Sequence, residues 1–201
     1  MERIGTIEAL EAHYGRAAGA SISKVARRMT PAYRRWIMAS RFCVLSTVGP
    51  EGTDATPRGD DGPVVMELDP GTLALPDWRG NNRLDALRNI VRDPRCSLLF
   101  LVPGSENCVR VNGQGFVTAD TELRARFEKA GRQPATVTVV EIGEIYFQCA
   151  RALMRARTWT SGDESAGLPS AGAILADMTF GAEGVADYDR EWPRRAAETL
   201  W

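Results

Sequence analysis

The chain has 201 residues, 44% of them hydrophobic and 25% charged, with a formal net charge of −1. That composition suits one globular domain with a full core, and the near-zero charge excludes global steering toward nucleic acid or an anionic membrane. No run approaches the ~20 apolar residues of a membrane span, and the opening Met1-Glu2-Arg3-Ile4-Gly5 lacks an apolar signal core, so a cytoplasmic protein is expected.

Helical text comes first. Residues 6–15 read as a short helix holding His13, with Thr6 as N-cap and Glu8 and Glu11 in its early turns. Residues 22–39 read as a second, interrupted helical stretch, divided at Pro31 with Thr30 as cap; Trp36, Ile37 and Met38 are expected to pack on a sheet. From Phe42 the pattern turns to strands. Residues 42–47 form a buried strand, Gly49-Pro50-Glu51-Gly52 a turn, and residues 53–58 a returning strand. Residues 64–68 and 72–75 pair across Asp69-Pro70-Gly71. A helix over 82–92 carries Leu84, Leu87, Ile90 and Val91 on one face and stops at Asp93-Pro94. Residues 97–101 make an apolar strand. Residues 109–118 alternate, with Gly113 and Gly115 marking a bulge or close backbone approach. Asp120 caps a helix over 121–130 that Gly131 stops. Residues 135–147 form a long strand, followed by a short basic helix with Arg151, Arg155 and Arg157.

Six or seven antiparallel strands with peripheral helices indicate a mainly β protein, a barrel. The expected division is residues 1–40 as helices packing on the barrel, 41–160 as the barrel and 161–201 as a C-terminal arm. The arm carries Met178, Phe180, Tyr188, Trp192 and Trp201. So many large apolar side chains without a sheet of their own are expected to bury against a second copy. Cys43, Cys96, Cys108 and Cys149 show no CxxC spacing, and His13 is the single histidine. Reduced thiols and no metal site are expected.

Three polar clusters stand at the ends of apolar runs: Thr56-Pro57-Arg58-Gly59-Asp60, Pro76-Asp77-Trp78-Arg79-Gly80-Asn81-Asn82-Arg83, and Val109-Arg110-Val111-Asn112-Gly113. Together they read as a site for a phosphate and a ring. A helix starting near Asn82 exposes unpaired N–H groups, and Asn82 and Arg83 add amide donors and a fixed cation. Arg83 in a first helical turn opposes the helix dipole, which a bound anion would offset. Leu75, Pro76 and Asp77 can offer backbone groups to a ring. Arg110 and Asn112 share a strand face opposite the core face of Val109 and Val111. No residue stands out as a general base or nucleophile.

These clusters, with Arg41-Phe42-Cys43-Val44-Leu45-Ser46-Thr47, Asn89-Ile90, Asp93-Pro94-Arg95, Leu98-Leu99-Phe100-Leu101 and Val102-Pro103-Gly104, resemble the pyridoxamine 5'-phosphate oxidase-like, FMN-binding split-barrel superfamily. The nearest likeness is to its branch of FMN-dependent proteins of unassigned substrate. The likeness covers roughly residues 5–160 and is weaker from Leu168 onward. Trp78 replaces a basic or small residue of that branch, and Phe147-Gln148-Cys149 replaces its His-Cys pair. The resemblance implies a split barrel with FMN as cofactor. It implies Arg58, Asn82 and Arg83 on the phosphate, with Gly59 and Arg79 beside them. It also implies a homodimer in which Arg110, Asn112, Gln148 or Arg151 reaches the second subunit's ligand. The activity implied is two-electron oxidoreduction of a small molecule, with a nicotinamide donor or a substrate amine supplying hydride. The alternatives are a non-catalytic flavin or haem binder and an F420-dependent reductase on the same barrel.

Overall fold

Along Phe42–Gly49 buried residues alternate with partly exposed ones, which makes this strand, β1, two-faced: Cys43, Leu45 and Thr47 turn into the core. A tight turn returns the chain as β2 (Gly52–Gly59). Strands β3 (Met66–Asp69), β4 (Thr72–Asp77), β5 (Arg95–Leu101), β6 (Cys108–Thr118) and β7 (Thr136–Gln148) follow. The computed structural model describes residues 1–17, 19–180 and 187–200. Among the described residues, seven strands form one antiparallel sheet in the order β2-β1-β5-β6-β7-β4-β3. The sheet rolls around Leu45, Leu73, Leu98, Phe100, Val109, Val111, Val140 and Ile145, all at most 1% exposed. Its two end strands, β2 and β3, do not pair with each other, so the barrel is split.

The strands reach further than the apolar runs suggest. β4 continues to Asp77 through Pro76, although the sequence places the turn after Leu75. β3 pairs with β4 only as far as Ala74, so Pro76 lies on an edge where its missing N–H interrupts no ladder. At the other end, β3 begins at Met66, two residues later than expected. Val64 and Val65 are buried in a bend outside the sheet, with the Val64 N–H donating to the Ser40 carbonyl. The expected bulge is present: the β6–β7 register shifts at Asn112/Gly113, and a Cβ on Gly113 would lie 2.0 Å from the Glu141 carbonyl oxygen.

The helices are shorter than the sequence pattern suggests. α1 covers Ile7–Glu11 with Thr6 as cap, so His13 follows the helix rather than sitting in it. α2 (Ala20–Ser23) and α3 (Pro31–Met38) are separate, because Ala26 exchanges backbone hydrogen bonds of 2.9 and 2.8 Å with Ile145 of β7. Thr30 caps α3, Ile37 is fully buried, and Trp36 and Met38 pack beside it. α4 begins at Asp85, not at residue 82, and runs to Arg92. Asn82 and Leu84 take left-handed φ angles of 60° and 61°, which no helical turn accommodates. Its buried face is therefore Ala86, Leu87, Asn89 and Ile90, while Val91 is 75% exposed. Asn89 Nδ2 donates to Thr47 Oγ1 at 3.1 Å, tying α4 to β1. α5 (Thr121–Ala125) is capped by Asp120 and ends early, the N–H groups of Arg126, Phe127 and Glu128 bonding three residues back instead of four.

α6 (Arg151–Ala156) leads away from β7, and α7 (Ala171–Thr179) packs on α8 (Tyr188–Thr199). Asp189 joins them, accepting from Ser170 Oγ at 2.5 Å and from the Gly172 N–H at 2.9 Å. Tyr188 stacks on Trp192, with the Arg195 guanidinium over both rings. Met178 and Phe180 remain 74% and 99% exposed. Trp201, expected in this arm, lies outside the described residues. Among the described residues, no helix is long and apolar enough to cross a membrane.

Candidate functional site

Alternation puts every second residue of β2 inside the barrel, and Arg58 is one of them: it sits opposite Cys43, a core residue of β1. Across the split, β4 ends in Asp77, on the same side of the sheet as the core residues Leu73 and Leu75. Arg58 Nη1 donates to Asp77 Oδ1, so a single ion pair bridges β2 and β4 at the mouth of the barrel. Both side chains are at most 20% exposed. On the far side of Asp77, its register partner on β7 is Thr136. Directly opposed residues of an antiparallel pair share a face, so Thr136 also faces the mouth.

Two polar atoms here are buried and make no hydrogen bond within the chain, Arg58 Nε and Thr136 Oγ1. Leaving such a group without a partner costs about 1–3 kcal/mol, and most buried polar groups in folded proteins have one. The mouth is thus a polar cluster in which Arg58 Nε and Thr136 Oγ1 are closed to solvent. Its rim is also ordered. Asp60, just past β2, has a side chain only 6% exposed and accepts from Trp78 Nε1 at 3.3 Å and from Lys129 Nζ. Lys129 bonds Asp61 as well, and that bond, followed by Asp60's, holds the Asp61 carboxyl below the usual carboxylate range.

From Asp77 the chain leaves the mouth as an exposed loop through Arg79, Asn82 and Arg83. Arg83 is not in the first helical turn. It lies between two left-handed residues, its N–H donates to Asn81 Oδ1 at 3.1 Å, and its Nε meets Asp85 Oδ2 at 2.8 Å. The dipole argument for Arg83 therefore loses its premise, because Asp85 already stands at the helix start. What remains is an exposed cation beside a loop of polar groups.

Of the residues marked in the sequence, the fold gathers Arg58, Leu75 and Asp77 at the mouth, with Gly59 at the end of β2 and Arg79, Asn82 and Arg83 on the adjoining loop. Leu75 and Pro76 have buried side chains, and of the backbone from Leu75 to Asp77 only Pro76's faces the edge beyond β3, since the Asp77 carbonyl accepts from the Ala135 N–H on the β7 side. The remaining four residues lie elsewhere in the same chain. Arg110 and Asn112 stand on the outer face of the sheet, where Arg110 Nη1 donates to the Tyr146 hydroxyl at 3.2 Å and Asn112 Nδ2 to Glu144 Oε1 at 2.7 Å. Gln148 closes the 13-residue strand β7 that Thr136 opens, which sets them on the order of 40 Å apart along the strand at ~3.3 Å per residue. Arg151 follows at the start of α6. Thr136 carries no signal in the sequence, because Asp77 and Arg58 come to it only through strand pairing. Lys129 escapes sequence reasoning for the same reason, whereas Asp60 belongs to the first polar cluster of the sequence.

Burial pushes the Cys43 thiol up to about 12, against a smaller opposing effect of Arg58, and the Cys96 thiol up to about 11. Both stay protonated and poorly nucleophilic at neutral pH. Cys149 is exposed. Iodoacetamide acting on the folded protein should alkylate Cys149 far faster than Cys43 or Cys96, which should react only after denaturation. Peptide mass mapping reads this directly, and rapid native labelling of Cys43 would contradict the buried environment.

Comparison with known proteins bears on this arrangement. The family model for pyridoxamine 5'-phosphate oxidase matches residues 29–149. A search of curated proteins returns no match. Among solved structures, HupZ of Group A Streptococcus is 12% identical, with 58% of this chain and 92% of that one covered at a TM-score of 0.48. A provisionally assigned pyridoxamine 5'-phosphate oxidase of Lactobacillus delbrueckii is 20% identical over 60% and 95%, with a TM-score of 0.47. An FAD-binding protein of Mycobacterium smegmatis is 12% identical over 61% and 97%, with a TM-score of 0.42. The family match takes in β1 to β7, the barrel mouth and the loop from Arg79 to Arg83, and by it this chain belongs to the pyridoxamine 5'-phosphate oxidase family.

Proposed function

We propose that the protein is an FMN-binding oxidoreductase acting on a small molecule, and that it works as a homodimer. The observation that carries the reading is the exposed loop of Arg79, Asn82 and Arg83, which leaves the barrel mouth at the end of β4. A flavin mononucleotide has the matching parts: a flat ring with polar edges and a terminal phosphate. Asn82 and Arg83 hold the phosphate by charge-assisted bonds, with Arg79 beside them. Pro76 turns its carbonyl along the uncovered edge of β4 toward the ring. When bound, FMN supplies two-electron redox chemistry, so the absence of an evident general base or nucleophile is no obstacle.

A second copy accounts for the rest. Arg110 and Asn112 on the outer face, and Gln148 and Arg151 at the far end of β7, lie too far from the mouth to serve it within one chain, but a two-fold partner can present them to it. The exposed Met178 and Phe180 of the arm would be covered in the same assembly. Sedimentation velocity with FMN, followed at the flavin absorption band, tests both parts at once. Flavin absorbance should sediment with a species of twice the chain mass. Protein sedimenting without flavin at micromolar FMN would reject the cofactor. Flavin on a monomer would reject the shared site.

A further inference from the structure

We propose that Cys149 and Cys108 are a peroxide-responsive thiol pair, in which the exposed Cys149 is oxidised first and Cys108 closes an intramolecular disulfide on it. The inference is independent of the flavin reading. Strand pairing brings the two residues together: Cys108 opens β6 opposite Gln148, the last residue of β7, and Cys149 is the next residue of the chain. Paired Cα atoms of an antiparallel ladder are ~5 Å apart and one further residue adds ~3.3 Å along the strand, which sets these two Cα atoms roughly 6 Å apart. A disulfide spans Cα atoms about 4.4–6.8 Å apart. β7 ends at Gln148 and the backbone is already helical at Ala150, with φ −64° and ψ −18°. Cys149 therefore stands outside the pleat that would send its side chain to the face opposite that of Gln148. The thiols also feel one another: burial raises the Cys108 pKa most, Arg110 opposes it, and the charge of Cys149 raises it further.

Exposure divides the labour. Cys149 is exposed, whereas Cys43, Cys96 and Cys108 are buried. Cys96 sits opposite Gly113, so the run of β6 from 108 to 113, ~17 Å long, separates it from Cys108. Cys43 lies on β1, with β5 between it and β6, on the core face. Cys149 is the thiol a hydroperoxide meets first. Its sulfur attacks one peroxide oxygen, the O–O bond breaks, an S–O bond forms, and the alcohol leaves (water, for hydrogen peroxide). The Cys108 sulfur then attacks the sulfur of this sulfenic acid. The S–S bond forms, the S–O bond breaks, and the departing hydroxide takes the Cys108 proton and leaves as water. Two thiols have lost two electrons and the peroxide has gained them. Burial keeps Cys108 protonated and so unreactive toward the peroxide itself. The bridge ties the start of β6 to the entry of α6. Trp159 Nε1 already donates to the Ser105 carbonyl at 2.8 Å, holding the segment after α6 against the loop before β6, and the disulfide joins the same two parts covalently.

The test treats the full chain with a small excess of hydrogen peroxide, removes the excess with catalase, then denatures the protein, alkylates its free thiols and counts them by mass. The count should fall from four to two and return to four after dithiothreitol. A tryptic species joining residues 96–110 to residues 133–151 should carry the bond, and its fragment spectrum should place it at Cys108 rather than Cys96. Cys149→Ser should keep all of its remaining thiols under the same treatment. Cys108→Ala should leave the Cys149 sulfenic acid without a partner, so that dimedone labels nearly every chain where it labels few of wild type. Wild type that loses only the Cys149 thiol, to sulfinic acid or to a bond between Cys149 residues of two chains, would show that Cys108 does not resolve it and would overturn the pair. Wild type that keeps all four thiols would overturn it too, and both readings hold whether or not the Cys108 variant folds.

Discussion

Arg83→Ala should weaken FMN binding ten- to a hundredfold while leaving riboflavin binding nearly as it was. The guanidinium is 76% exposed and, among the described residues, it pairs with Asp85. An exposed pair of this kind is worth at most about 1 kcal/mol, so the variant should fold and melt like wild type. A charge-assisted bond to phosphate is worth about 1.5–3 kcal/mol, and each 1.4 kcal/mol is a factor of about ten in affinity. Riboflavin lacks the phosphate and supplies the control. Equal losses for both ligands would show that Arg83 shapes the loop between the left-handed Asn82 and Leu84 rather than holding an anion. Arg58→Ala should behave differently from Arg83→Ala. It leaves the part-buried Asp77 without its ion-pair partner and unties β2 from β4 at the mouth, so it should weaken riboflavin and FMN alike.

Phe100→Ala should cost about 3–5 kcal/mol of folding stability, read from urea unfolding. Among the described residues Phe100 is the largest fully buried side chain, at 0% exposure, and its row across the sheet joins Cys43 of β1 to Val109 of β6. Domains of this size are stable by only about 5–15 kcal/mol, so the variant stands near the edge of folding at growth temperature. Phe100→Leu keeps most of the apolar volume and should lose less than half as much. A loss below about 1 kcal/mol for the alanine variant would mean that the barrel interior repacks around the gap, against the close packing expected of such a core.

The sequence alone determined the kind of fold. The alternating strand text between Phe42 and Phe147 needs only the two-residue period of a pleated chain. Thr6, Thr30 and Asp120 announce helix starts through their own hydroxyl or carboxylate chemistry. Each of those three residues caps its helix as expected. Gly113 is legible for a like reason, since a glycine inside an alternating strand signals a close backbone approach. These are local effects, carried by residues a few positions apart.

What only the tertiary structure decided is where those strands leave their polar ends. Arg58, Asp77 and Thr136 are far apart in the chain and meet because β2 and β4 face each other across the split while β4 pairs with β7. No local pattern encodes a meeting set by sheet order. The start of α4 escapes the sequence for a related reason: apolar spacing from Leu84 fits a helix, but the left-handed turns at Asn82 and Leu84 follow from how the loop leaves the barrel mouth. Alternation rightly places Arg110 and Asn112 on the face opposite Val109 and Val111, and it is sheet closure that sets this face apart from the mouth. Side-chain period is local and survives in the sequence, whereas register, closure and the partners of buried polar atoms belong to contacts between distant segments.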